Sequence, residues 1–251
     1  MESRSTKTYF SFILQLLGVA VALTIFLYLL VFSHTLQWEK VWEYRALFLK
    51  GWLLTLFLSV LSLMLSTCIG LVCALMAASK IPFLHYAAKI YVEIIRGTPL
   101  LVQILLFYYV IANAVGLQNR YVAGVISLSI FSGAYISEII RSGVESISST
   151  QLQAARAIGL TGFQTYRFVI FPQAIRHVLP PLSGQFASII KDSSLLSIIG
   201  ISELTNTAQQ INSATYSTLE SFFPLAIGYL LLTLPLSLWS KYMESKFRYE
   251  T

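Results

Sequence analysis

Residues 52–79 contain no Asp, Glu, Lys or Arg and are rich in Leu, Ser and Ala. About 20 apolar residues in helical form cross a hydrocarbon core of ~30 Å, and in lipid each backbone amide must find its partner within its own segment. The run therefore predicts a transmembrane helix. Comparable runs occupy residues 9–32, 99–115, 121–140, 180–200 and 222–240. The expected fold class is all-α, a polytopic helical membrane protein with about six transmembrane helices. Charged residues make up 11% of the chain and apolar residues 56%, against about 25% charged in an average soluble domain. So few charges do not cover a water-facing surface. That excludes a soluble enzyme, a nucleic-acid-binding domain and a disordered chain.

The net charge of +6 reads as a topology signal. Taken alternately, the segments between runs carry twelve and four Lys and Arg residues. The richer set comprises both termini, the stretch holding Lys80, Lys89 and Arg96, and the long loop holding Arg141, Arg156, Arg167 and Arg176. Excess Lys and Arg marks cytoplasmic segments, so both termini and the long loop are expected there. Anionic lipid headgroups are the natural partner of this charge, and no nucleic acid is expected. The first run is longer than the ~7–15 residues of a signal-peptide core and is read as an uncleaved helix. Cys68 and Cys73 lie five apart and point to different faces of one helix, so neither a disulfide nor a metal site is expected. His34, His85 and His177 lie near the ends of runs and form no acid–base or metal cluster.

The segment between residues 141 and 179 is too long for a plain connector and too apolar for disorder. Within it, Gln151-Leu-Gln-Ala-Ala-Arg-Ala-Ile-Gly-Leu predicts a short helix. Ser149 or Thr150 serves as its N-cap, and Gly159 ends it in the left-handed conformation. A second short helix over residues 162–171 is expected to stop at Pro172. The first helix would present Ala154, Ala155 and Ala157 outward, where small side chains let another surface approach the backbone. An interfacial amphipathic helix is the alternative reading.

Gln153-Ala154-Ala155, three residues, Gly159, nine residues and Val169-Ile170-Phe171-Pro172 resemble the "EAA" loop of ABC importer permeases. That pattern is Glu-Ala-Ala, three, Gly, nine, Ile-x-Leu-Pro. Gln153 replaces Glu and removes a charge; Val169 and Phe171 keep the apolar character. Three further blocks resemble the polar amino acid uptake subfamily: Glu93-Ile-Ile-Arg-Gly-Thr-Pro-Leu-Leu-Val-Gln103, Ala134-Tyr-Ile-Ser-Glu-Ile-Ile-Arg-Ser-Gly-Val-Glu-Ser-Ile147 and Lys191-Asp-Ser-Ser-Leu-Leu-Ser-Ile-Ile-Gly200. Ser142 stands where the subfamily usually has Gly. The resemblance covers residues 51–240. It implies a five-helix core to which the first run adds an N-terminal helix, with residues 1–50 forming that helix and an external loop. Residues 51–251 would form the importer domain, with the coupling loop near 149–172.

The resemblance further implies a bacterial inner-membrane permease subunit, non-catalytic, that contributes to the path for a polar amino acid. Its expected partners are ABC ATPase subunits, a second permease subunit as homo- or heterodimer, and an extracytoplasmic amino-acid-binding protein. Gln153, Ala154, Ala155, Gly159 and Pro172 would couple to the ATPase. The chain has no Gly-x-x-x-x-Gly-Lys-[Ser/Thr] phosphate cradle, so no cofactor is expected on it, and ATP and Mg belong to the partner ATPase.

Lys191 and Asp192 fall near the middle of the run at 180–200, where a charge costs several kcal/mol unless it faces protein or water. Gly184, Ser188 and Lys191 form one stripe at helical spacing, and Gln185, Ser188 and Asp192 an adjacent one. This face is expected to look into the helix bundle. Two readings stand: the charges neutralise other buried groups, or they line the substrate path and meet a zwitterion, with Glu138 as a further pathway candidate. Lys191 and Asp192, being adjacent, point about 100° apart and are not expected to pair. Glu138 with Arg141, and Glu93 with Arg96, are expected to be local ion pairs. Tyr108 and Tyr109 are expected to pack. Two other functions compete. A secondary carrier would show an internal inverted repeat, and none is evident. An intramembrane enzyme needs a nucleophile with its base, and no Gly-x-Ser-Gly or mid-run His occurs.

Overall fold

The structure, a computed structural model, describes residues 36–247 and isolated positions between residues 18 and 28. The apolar run at 9–32, and with it the expected N-terminal helix and His34, lies largely outside the described residues. The regular elements described are all helical. They are α1 (Trp38–Trp42), α2 (Arg45–Ala77), α3 (Pro82–Arg96), α4 (Leu100–Leu106), α5 (Arg120–Glu145), α6 (Ser149–Ala157), α7 (Gly162–Thr165), α8 (Phe171–Asp192), α9 (Leu204–Thr215) and α10 (Thr218–Phe247). The division expected at residue 50 falls inside α2. α1 is docked rather than loose: Val41 is buried, Trp38 packs edge-on against Phe223, and the Gln37 amide donates to the Glu220 carboxylate.

α2 and α5 form the central pair. The buried face of α2 runs through Gly51, Thr55, Ser59, Ser62, Ser66 and Gly70, spaced three and four apart. Small residues at this spacing let membrane helices approach closely, where dispersion and interhelical hydrogen bonds hold them. A Cβ added at Gly70 would lie 2.6 Å from Ile136 Cγ2, and one at Gly133 of α5 would lie 2.7 Å from Ile69 Cγ2. Ser129 Oγ donates to the Val125 carbonyl at 2.6 Å and also reaches the Ser62 carbonyl of α2 at 3.3 Å. The opposite face of α2 exposes Phe57, Met64, Leu71 and Leu75, side chains suited to lipid.

Among the described residues, α2, α5 and residues Thr218–Met243 of α10 are each long and apolar enough to cross a membrane. Two expected spans differ from a simple crossing. The run at 99–115 is one arm of a broken pair, Pro82–Arg96 and Leu100–Ala112, bent by 108°. Pro99 has no N–H to donate and disfavours helix at Thr98, which accounts for the break. Gln103 fastens the bend, its amide donating to the Ile95 carbonyl at 2.7 Å and to Thr98 Oγ1 at 2.7 Å. The run at 180–200 is not one helix either. α8 carries Pro180 and Pro181, and after Asp192 the chain tightens into a 3-10 stretch, Ser193–Ile199. The segment between the runs at 180–200 and 222–240 is not a plain loop, since it holds α9.

Candidate functional site

The loop between α5 and α8 is built by its capping residues. Ser148, one residue before the expected caps, accepts from the Thr150 amide and starts α6. Gly159 adopts φ +80°, the Gly159 amide donates to Arg156 at 3.0 Å, and the Leu160 amide donates back to Ala155 at 3.1 Å. This pair of bonds closes a helix end on its own carbonyls and requires the left-handed residue that glycine supplies cheaply. Thr161 and Gln164 then cap α7 reciprocally. Pro172 does not stop the second helix. A π-helical turn, Tyr166–Ile170, carries the chain without a break into α8, and Pro172, which lacks an N–H for the helical ladder, sits at this junction. Gln173 of α8 donates to Gln151 of α6 at 2.6 Å and fixes how the loop hangs from the bundle.

Gln153, Ala154 and Ala157 are exposed on α6, but Ala155 is only 4% exposed. Its small side chain serves packing within the loop, so Ala155 is not part of the outer surface as expected. The outer surface instead carries Ile158 and Phe163, 77% and 72% exposed, on either side of Gly159. Both flank a turn rather than lie on a periodic apolar face, so helical spacing carries no sign of them.

A cavity of about 550 Å³ opens beside this loop, between the C-terminal end of α2, α3, the C-terminal end of α5 and Tyr166. Both signs of charge line it: Glu93, Glu138 and Glu145 with Lys89 and Arg141. Arg141 donates from Nε to Glu138 at 2.9 Å, makes a second contact with Glu138 and reaches Glu145 one turn on. The expected Glu138–Arg141 pair is therefore present. The expected Glu93–Arg96 pair is not. Arg96 crosses to Glu138 of α5 at 3.5 Å, its guanidinium 5.5 Å over the Tyr135 ring. α3 packs against α5, and sequence spacing within α3 carries no trace of that partner. His85 Nδ1 lies 2.6 Å from the Ala77 carbonyl and donates to it, satisfying an orphan acceptor at the end of α2. Tyr108 and Tyr109 meet edge-on with centroids 5.0 Å apart.

The stripe on α8 lies differently from expectation. Ser183, Ala187, Ile189 and Ile190 take the buried side of the helix. Gly184, Gln185, Ser188 and Asp192 are half-buried, Lys191 is exposed, and Ser188 Oγ turns back to the Gly184 carbonyl at 3.3 Å. The stripe thus looks along and out of this chain rather than into its own bundle. Small residues at 183 and 187 occupy the inward positions. Neither Lys191 nor Asp192 forms an ion pair among the described residues.

Glu203, at the other end of the bundle from the loop, is fully buried and was not singled out from the sequence. It caps α9, accepting from the Thr205 and Asn206 amides at 2.7 and 2.8 Å and from the Tyr229 hydroxyl of α10 at 2.9 Å. Burial pushes its carboxyl pKa up from the ordinary value, against the hydrogen bonds, which lower it. An acid directly before a polar helix start was the available signal. Cys68 is exposed and Cys73 buried, both as free thiols. Among the described residues no group of three or more His, Cys, Asp or Glu is placed to hold a metal ion.

Comparison with known proteins places this geometry. Residues 66–249 match the family described as "Binding-protein-dependent transport system inner membrane component". The chain is 36% identical over 214 residues to the "Glutamine transport system permease protein GlnP" of Escherichia coli (strain K12), covering 84% of this chain and 98% of that one. It is 35% identical over 201 residues to the "Probable glutamine ABC transporter permease protein GlnM" of Bacillus subtilis (strain 168), covering 80% and 93%. The solved structure described as "Crystal structure of an amino acid ABC transporter with histidines" superposes with a TM-score of 0.80 at 38% identity, covering 85% of this chain and all of that one.

Proposed function

Because the chain belongs to the family of binding-protein-dependent transport system inner membrane components, a family of multi-pass permease subunits of ATP-driven importers, we propose that it forms one half of the path for a polar amino acid. The observation that carries this reading is the loop α6–α7: a short helix closed at Gly159, tied to α8, and presenting Gln153, Ala154, Ile158 and Phe163 outward. A rigid loop with exposed apolar side chains on a membrane protein suits a groove on a soluble partner, here the ATPase. ATP and Mg belong to that partner, and the chain itself is a non-catalytic subunit with no cofactor. Gly159 fixes the loop's shape, and Pro172 sets its exit into α8.

The amino-acid specificity is supported by what the relatives are named for, glutamine transport in two of them. The stripe on α8 supports a second permease subunit. A charge at membrane depth needs protein or water beside it, and this chain leaves the outward side of Lys191 to another surface. Gln185, Ser188, Lys191 and Asp192 then line the boundary between the two subunits, where a zwitterion would pass. Glu138 lies on the wall of the charged cavity nearer the loop. The extracytoplasmic binding protein delivers substrate at the end where Glu203 holds α9, and both termini lie in the cytoplasm.

Proteoliposomes containing the chain with its ATPase test this reading. Uptake of a polar amino acid should require both ATP on the ATPase side and loaded binding protein on the other. Uptake driven by an ion gradient without ATP would instead mark a secondary carrier. Turnover of a lipid or peptide by the chain alone would mark an enzyme.

A further inference from the structure

The pair Arg96–Glu138 joins two helices, whereas the pairs that Arg141 makes lie within α5. Its position is unusual. Arg96 is the last residue of α3 and stands directly before the 108° bend. Glu138 is shared: one guanidinium reaches it from the bend, and a second, Arg141, grips it from its own helix. Arg141 in turn holds Glu145, one turn nearer the loop, and Tyr166 of the loop itself lines the cavity beside them. The contact to Arg96 is the longer at 3.5 Å, whereas Arg141 donates from Nε at 2.9 Å. A carboxylate reached by two cations has a choice of partner.

We propose that Arg96 and Glu138 are the positioning residues through which the coupling loop controls the bend of the broken span, and so make ATP hydrolysis depend on loaded binding protein. This rests on the permease reading given above. The bend itself is held on its other arm by Gln103, so the hinge at residues 97–99 is fixed from one side and gated by charge from the other. The pair is partly exposed, with side chains 42% and 27% accessible. A pair of this kind contributes little to stability, which leaves it free to exchange partners during a cycle. Coupling between sites is carried by such a two-state element when both sites bias it.

The test uses the complete complex with its ATPase in proteoliposomes, comparing Arg96→Gln, Glu138→Gln and the charge-keeping Arg96→Lys. Both charge-removing variants should assemble in normal yield, raise hydrolysis without binding protein by about fivefold, the low end of a typical coupling free energy, and lower amino acid taken up per ATP. Arg96→Lys, which keeps the positive charge facing Glu138, should keep dependence on binding protein. Charge-removing variants that keep wild-type dependence overturn the proposal. So does loss of assembly in Arg96→Gln, which touches only the longer contact and would mark the pair as structural. A wild-type complex whose hydrolysis ignores loaded binding protein would instead overturn the permease reading, and this proposal with it.

Discussion

The Tyr229 hydroxyl donates to Glu203 Oε2 at 2.9 Å, binding α10 to the first turn of α9 inside the bundle. The same carboxylate accepts two α9 amides, so one side chain fixes where two helices meet. Glu203→Ala removes the side-chain acceptor of those two amides, at a cost of roughly 1–3 kcal/mol, and leaves the Tyr229 hydroxyl only Thr205 Oγ1 at 2.9 Å. The melting temperature of the purified chain in detergent should fall accordingly. Burial raises the carboxyl pKa above its ordinary 4.5, so the folded chain holds this proton more tightly than the unfolded chain does. The stability that this gives is fully present below the unfolded value and is lost as pH rises through the folded one. Glu203→Gln should flatten that part of the pH profile; an unchanged profile would show that Glu203 does not titrate there.

Gly159 occupies φ +80° with open space where a Cβ would stand, so a substitution there acts through backbone strain and surface rather than through a clash. A non-glycine residue in this conformation costs ~1–2 kcal/mol, a factor of roughly 5–30 in the closed turn. Gly159→Asp adds a charge at the outer surface. Uptake and substrate-stimulated hydrolysis should both fall by that order while the chain still reaches the membrane. Normal uptake would remove the loop from the coupling role.

Asp192→Asn keeps volume and removes charge. If Asp192 lines the path at the subunit boundary, uptake per assembled complex should drop by at least ~tenfold, since removing one partner of a desolvated charge contact costs ~2–5 kcal/mol. A structural charge would show itself as lower complex yield with normal uptake per complex. Measuring yield beside uptake separates the two.

Ser213 is exposed on α9 and Gln164 on α7, at opposite ends of the bundle. In a background of Cys68→Ala and Cys73→Ala, a cysteine at 213 should react with an impermeant reagent on intact cells. One at 164 should react only after permeabilisation. The reverse pattern would invert the topology drawn from Lys and Arg.

Local chemistry in the sequence determined the helices, their caps and the loop. The uncharged run at 52–79 had to become a helix because lipid offers amides no partner. Gly159 had to end α6, since the helix there closes through a left-handed residue. Arg141 was within reach of Glu138, three residues away on one face. Tertiary structure decided what no local spacing encodes. Arg96 has Glu93 at the same spacing, yet it turns to Glu138, because α3 packs against α5. Ala154 and Ala155 are identical in chemistry, and only packing of the loop buries the second and exposes the first. The stripe at Ser188, Lys191 and Asp192 was legible as a stripe, but its direction depended on which side of α8 met the rest of the bundle. Helical periodicity gives the angle between side chains around an axis; only the neighbouring helices fix which way that axis is turned.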